Sequence, residues 1–320
     1  MEKTTDKESR PSLAIVVPCY NETAVLRQTT ERLLAVLEEI QETAAAEGCI
    51  LYVDDGSRDT TWNIIKRLHA EDRRILGINL AHNSGHQNAL MAGLQTVVRL
   101  ADFIVTIDAD LQDDETVIRD MVEHAMKGND IVYGVRSSRA TDTWFKRTTA
   151  QMFYRLMSCM GVQTVYNHAD YRLMSRRAVE ALLQYGERNL FLRGLVPLLG
   201  YRTARVEYAR KERQAGESKY PLGKMLSLAF DGITSFSMTP VHMVLWMGVF
   251  FLLAALGIAV WVVSCLVMER TVTGWASLML SVWLCSGCVL VCLGIVGEYI
   301  GKIYIEVKHR PRYNIKEVAL

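Results

Sequence analysis

The 320-residue chain has almost no net charge: 36 Lys and Arg against 35 Asp and Glu give +1. A nucleic-acid binder held by bulk charge is thereby disfavoured, and no nucleic-acid partner is expected. Cysteine is too sparse and too awkwardly placed for a disulfide framework. There are seven, an odd number, and Cys265, Cys285, Cys288 and Cys292 lie in apolar stretches. The Cys285-x-x-Cys288 pair has no His or carboxylate neighbour and reads as small apolar packing. Met1–Arg10 is polar and charged without an apolar core, so no cleavable signal peptide is expected and the front of the chain is assigned to the cytoplasm. No G-x-G-x-x-G follows the first strand-like run, which leaves a dehydrogenase unsupported. No G-x-x-x-x-G-K-[ST] exists for a P-loop ATPase.

Charge is also missing locally. Gly232–Met268 is 37 residues and Thr271–Gly297 is 27 residues without Asp, Glu, Lys or Arg. About 20 mostly apolar residues cross the hydrocarbon core as a helix, so each run is long enough. Two spans are expected, about 241–268 and 275–300, within a membrane region 240–301. Residues 221–239, which mix Lys224 and Asp231 with Met225, Leu226, Leu228, Phe230 and Phe236, read as an amphipathic segment on the bilayer surface. Residues 302–320 read as a basic tail, with Lys302, Lys308, Arg310, Arg312 and Lys316, which the positive-inside rule puts in the cytoplasm with both termini. Trp246, Trp275, Tyr299 and Tyr304 read as interface anchors, and Glu298 with Lys302 as an i, i+4 pair.

The remaining part, residues 1–220, alternates two patterns. Strands are expected at Leu13–Val17, Cys49–Val53, Ile75–Leu80, Phe103–Ile107 and Ile131–Tyr133. Helices are expected at Thr23–Glu47, Thr60–His69, Gln87–Leu100 and Glu115–Lys127. Such alternation predicts an α/β domain with a mostly parallel, Rossmann-like sheet, whose ligands bind beyond the carboxyl ends of the strands. Polar clusters fall at four of those ends: Pro18–Glu22, Asp54–Thr60, Asn83–His86 and Asp108–Asp113.

Asp108 and Asp110 are two apart, and residues so spaced on a strand share a side. Repelling carboxylates there suit Mg²⁺ or Mn²⁺, with Gln112 a further oxygen donor. The alternative is a pair of N-caps for the helix near Glu115, a role Asp113 or Asp114 already fills. His82, His86 and His168 read as hydrogen-bonded loop histidines. Arg136, Arg139, Lys146 and Arg147 form either a solvated basic face or an anion site. The sequon Asn21-Glu22-Thr23 is an accident in a cytoplasmic loop.

Taken together, PCYNE, DDGSRDT, NSGHQNALMAG, DADLQ and RQAGESKY resemble glycosyltransferase family 2, which has the GT-A fold. The chain is similar over almost its whole length to polyprenyl-phosphate glycosyltransferases: dolichol-phosphate mannose synthases and, nearer, bacterial bactoprenol glucosyltransferases with two membrane helices. That resemblance implies that Pro18, Tyr20, Glu22, Asp54 and Asp55 frame the base and ribose of a nucleotide-sugar. It implies Asp108, Asp110 and Gln112 as ligands of the divalent ion, and Arg213 and Lys219 on the donor phosphates. Arg136 and Arg147 would grip the lipid phosphate, and Asp170 matches an acidic position near the sugar. Asp114 departs from the family, which usually has proline there.

The expected reaction is inverting transfer of a sugar to undecaprenyl phosphate, making a lipid-linked sugar for cell-envelope glycans. UDP-glucose is the favoured donor, and other UDP-sugars and GDP-mannose stay open. A processive polysaccharide synthase is the rival enzyme, disfavoured because no tryptophan follows an arginine as Q-x-x-R-W requires. A non-catalytic nucleotide-sugar scaffold for a flippase is the rival from another class. A homo-oligomer and a flippase partner stay open.

Overall fold

The computed structural model describes residues 12–44, 47–110, 112–136, 168–188, 190–209, 239–268 and 274–320. These fall into two compact units: residues up to 209 together with 310–320, and residues 239–309. The expected amphipathic segment, and with it Arg139, Lys146, Arg147, Arg213 and Lys219, lies outside the described residues.

In the first unit the chain runs β1 (Ser12–Cys19), α1 (Leu26–Ala44), β2 (Glu47–Asp54), α2 (Thr61–Glu71), β3 (Ile75–Leu80), α3 (His86–Val97) and β4 (Phe103–Thr106). A short 3-10 turn (Glu115–Val117) leads into α4 (Ile118–Met126), then β5 (Ile131–Arg136) and β6 (His168–Ser175). After these come α5 (Arg176–Leu183), α6 (Leu192–Leu198) and β7 (Thr203–Tyr208), and β8 (Ile315–Ala319) closes the unit. Every strand and helix expected up to Tyr133 is present, with ends shifted by a few residues.

The eight strands form one sheet in the order β7-β5-β6-β4-β1-β2-β3-β8. Pairs β1–β2, β1–β4, β2–β3 and β5–β7 are parallel. Pairs β4–β6, β5–β6 and β3–β8 are antiparallel. Strand β1 is central, and Leu13–Val17 are buried throughout, as a strand covered on both faces requires. Helix α1 presents Leu26, Leu33, Val36, Leu37 and Ile40 to the core at helical spacing. Burying each such side chain contributes about 1.5–3 kcal/mol. Because β2 and β3 extend to one side of β1 and β4 to the other, the chain reverses direction between β1 and β4. A crevice at that reversal is where open α/β sheets hold ligands.

Residues 302–320, read from sequence as a tail, instead continue a helix to Val307 and then form β8. Strand β8 pairs antiparallel with β3, matching Ile78 to Val318 and Asn79 to Glu317. Trp62 Nε1 donates to Glu317 at 2.6 Å, and Ala81 N–H donates to the Asn314 carbonyl at 2.8 Å. Arg312 donates to the Tyr185 carbonyl, and Tyr313 to Gln95. A short segment after a long apolar run carries little strand signal of its own; the open edge of β3 supplies it.

The second unit holds two helices in contact, α7 (Thr239–Val267) and α8 (Trp275–Val307). Among the described residues one stretch, Cys285–Val307, is long and apolar enough to cross a membrane by length and composition. Large side chains such as Trp246, Leu253, Leu290 and Tyr304 are exposed. Lys302 lies 4.0 Å from Glu298, the i, i+4 contact expected.

Candidate active site

The carboxyl ends of β1, β2, β3 and β4 and the amino end of the antiparallel β6 are joined by a run of contacts. Asn21, in the left-handed region (φ 57°), donates its N–H to Ser57 Oγ at 2.9 Å, and its own Oδ1 accepts from Arg58 N–H at 2.9 Å. Glu22 N–H donates to Thr61 Oγ1 at 3.0 Å, and Asp55 N–H to the Cys19 carbonyl at 2.9 Å. The ends of β1 and β2 and the loops that follow them, which carry Pro18, Tyr20, Glu22, Asp54 and Asp55, are thus braced against one another. Tyr20 is exposed on this rim.

Asp54 and Asp55 are buried, yet they do different things. Asp55 accepts from the N–H groups of Ser84 (2.7 Å) and Gly85 (3.0 Å), tying β2 to the loop that opens α3. Burial pushes its pKa up, and those two donors pull it back. Asp54 Oδ1 accepts from Ser57 N–H at 3.1 Å, while its buried Oδ2 has no hydrogen-bond partner among the described residues. Its pKa is raised, first by burial. A buried carboxylate oxygen without a donor is costly unless a ligand supplies one. Gly56 makes the intervening turn possible. It sits at φ 66°, and a Cβ there would lie 2.6 Å from the His82 carbonyl carbon.

Asp108 and Asp110 follow β4, but the strand ends at Thr106. The two-residue strand spacing therefore does not set their directions; a turn does. That turn is pinned from α1. Buried Thr29 donates its hydroxyl to the Ala109 carbonyl at 2.9 Å, sharing the proton with the Val25 carbonyl at 3.0 Å. Asp110 Oδ1 accepts from Gln112 N–H at 3.2 Å, so the backbone of Gln112 enters the site's bonding. Of the two candidate caps, Asp114 does the capping, accepting from Thr116 N–H, while Asp113 is buried elsewhere.

His86 begins α3, and its Nε2 lies 3.6 Å from Asp108 Oδ1 and 3.7 Å from Asp170 Oδ2. The fold brings it two carboxylates, from the turn after β4 and from β6. Crowding by protein pushes the Asp108 pKa up to about 6, with Asp170, Asp113 and Asp110 adding to the rise and His86 opposing it. Asp170 goes the other way. Burial alone would raise its pKa, but Arg193 and Arg172 outweigh it and hold the carboxyl well below the ordinary range. Arg172 Nη2 donates to Oδ1 at 2.6 Å, and Arg193 Nη2 to Oδ2 at 3.1 Å. Neither arginine is distinguishable in sequence from a solvated one; Arg172, 1% exposed, is visible as an anchor only once β6 is buried.

Arg136 ends β5 with its guanidinium already engaged. Nη2 donates to Asp113 Oδ1 at 3.3 Å and Nε to Tyr208 Oη at 3.3 Å, and Tyr208 also donates to Asp113.

The donor set after β4 is hard oxygen. Among the described residues no three His, Cys, Asp or Glu side chains converge to hold a metal ion alone. Two carboxylates at an open rim fit Mg²⁺ or Mn²⁺, which commonly take one or two carboxylates and complete their shell with substrate phosphate and water.

The family model for glycosyl transferase family 2 matches residues 14–183. Among curated proteins, the uncharacterized glycosyltransferase YkoT of Bacillus subtilis (strain 168) is 50% identical over 313 residues, covering 97% of this chain and 92% of its own. The bactoprenol glucosyl transferase of Shigella phage SfV is 38% identical over 306 residues, covering 95% and 98%. Among solved structures, the mannosyltransferase PcManGT from Pyrobaculum calidifontis, in complex with GDP-Man and Mn²⁺, covers 93% of this chain and 86% of its own at 15% identity and TM-score 0.48. With more than half its length inside the family model and full-length relatives at such identity, this chain belongs to glycosyl transferase family 2.

Proposed function

We propose that the protein transfers a hexose, with inversion, from a nucleotide-sugar to a polyprenyl phosphate at the cytoplasmic face of a membrane. UDP-glucose is the favoured donor and undecaprenyl phosphate the favoured acceptor. The carrying observation is that Asp54, whose buried oxygen has no partner among the described residues, and the pinned Asp108–Asp110 turn share one sheet rim, in a chain similar over 95% of its length to a bactoprenol glucosyl transferase.

On this reading Asp54 Oδ2 takes a donor hydrogen from the nucleotide's base or ribose, beside Pro18, Tyr20, Glu22 and Asp55. Asp108, Asp110 and Gln112 would hold Mg²⁺ or Mn²⁺, which when bound neutralises charge on the leaving nucleoside diphosphate. Arg213 and Lys219 complete that neutralisation, and Arg136 and Arg147 orient the acceptor. A lipid monophosphate has a second pKa near 6, so most of it is already dianionic at neutral pH. It needs orientation more than deprotonation. Asp170, held ionised by two arginines, is a poor proton acceptor; its place here is as a fixed negative charge beside the sugar.

The parity of membrane crossings supports two spans. Strand β8 pairs with β3, so residues 315–319 and 75–80 occupy one compartment. A chain that leaves that compartment after Tyr208 must return before Ile315, so the crossings are even in number. Cys285–Val307 is one candidate span, and α7, 29 residues without Asp, Glu, Lys or Arg, supplies the second. The domain at 1–220, the interface segment at 221–239 and the membrane region at 240–301 are the division this reading uses.

The test is incubation of the purified full-length protein with labelled nucleotide-sugars, Mg²⁺ or Mn²⁺ and undecaprenyl phosphate. The expected product is one glycolipid, lost with chelator. No glycolipid from any UDP-hexose, UDP-N-acetylhexosamine or GDP-mannose would favour the scaffold reading instead.

A further inference from the structure

Asp170 is held by two arginines that are not equivalent. Arg172, on the same strand, is buried, and its Nη1 also donates to the Leu192 carbonyl at 3.4 Å. Arg193 comes from α6 and lies against Asp170 through Nη2 at 3.1 Å and Nε at 3.4 Å, with its side chain 41% exposed. The Arg172 guanidinium is enclosed by protein, whereas that of Arg193 reaches the side open to solvent.

The position of Arg193 is built rather than incidental. The preceding residue, Leu192, is fixed at both ends of its backbone: its N–H donates to Gln87 Oε1 at 3.0 Å, and its carbonyl accepts from Arg172. Gln87 follows His86 on α3. His86 approaches the same Asp170 oxygen that Arg193 Nη2 holds, and reaches Asp108 on its other side. Arg193 therefore belongs to the rim on which the Asp108–Asp110 turn lies.

We propose that Arg193 binds a phosphate oxygen of a substrate, trading part of its hold on Asp170 for it while Arg172 keeps Asp170 balanced. This rests on the glycosyl-transfer reading above. The exchange is cheap because Asp170 keeps its shorter bond, at 2.6 Å to Arg172. A half-exposed guanidinium then gains charge-assisted, bidentate contacts suited to phosphate. Phosphate is present on both substrates, as the donor's diphosphate and the acceptor's monophosphate, and kinetics separates the two.

The experiment compares full-length wild type, R193Q and R193K, titrating the nucleotide-sugar that supports turnover and undecaprenyl phosphate separately. R193Q keeps a hydrogen bond for Asp170 and removes the charge. Its expected signature is a KM raised ten-fold or more for one substrate with the other unchanged; the affected substrate identifies the phosphate. R193K keeps a point charge and loses the fork, so its KM for that substrate rises about three-fold, and it decides the matter should R193Q not fold. A lowered kcat with both KM values within two-fold of wild type overturns the inference and leaves Arg193 as a counter-ion. A wild type that forms no glycolipid overturns both this inference and the reading beneath it.

Discussion

The hydroxyl of Thr29 in α1 donates to the carbonyl of Ala109 at 2.9 Å, fastening the peptide between Asp108 and Asp110 from eighty positions away. Thr29→Val keeps the shape and removes the donor. The expected cost is about 1–2 kcal/mol of stability, since a buried carbonyl loses its partner. Turnover should fall on the order of ten-fold or more, because the turn rather than the strand aims the two carboxylates. A T29V protein with wild-type kcat would show that the turn holds itself.

Asp110→Ala should abolish transfer while leaving the protein in the membrane and its thermal midpoint close to wild type, since this side chain is partly exposed. Membrane fractionation, a melting curve and a glycolipid assay on one preparation check all three. Normal turnover would remove the metal role.

Asp170→Ala should behave differently, because it strands Arg172. Removing one partner of a buried ion pair costs about 3–5 kcal/mol. For a domain of this size that is on the order of 10 °C in melting temperature. Melting of the detergent-solubilised protein measures it. A midpoint unchanged by D170A would mean that Asp108 or solvent already compensates Arg172.

Gly56→Ala forces a side chain into a left-handed turn and against the His82 backbone. The expected result is a loss of about 1–3 kcal/mol and a several-fold rise in donor KM, since Asp54 and Asp55 flank the turn. Acceptor KM should not move. An equal rise in both would place the turn outside the nucleotide site.

Asp130 contributes to acid stability. Arg177 donates to both its oxygens and Ser175 to one, and the Arg177 bonds chiefly hold its pKa below the ordinary value. A depressed folded pKa stabilises the fold above the unfolded value, about 3.9, and that contribution is lost as pH falls through the folded value. Melting curves between pH 3 and 6 should show wild type losing stability more steeply than Asp130→Asn below about pH 4. Parallel curves would dismiss the assignment.

Much of this protein was legible in its residues alone. Period and length are local properties: a run such as Leu13–Val17 is a buried strand, and a 37-residue charge-free stretch is apolar, whatever the rest of the chain does. The strand-end clusters follow from the same alternation, which is why Asp54, Asp55, Asp108 and Asp110 could be named before any coordinate. What needed the tertiary structure was partnership. Whether Arg172 is a solvated surface residue or an anchor depends on β6 being sandwiched between β4 and β5. Whether His86 has a carboxylate depends on two strands arriving beside α3. Residues 315–319 became a strand only because β3 offers a free edge, since hydrogen bonds between distant segments leave no periodic trace in either segment. Sequence determined which groups this chain can bring to its sheet's rim; the order of the strands decided which of them touch.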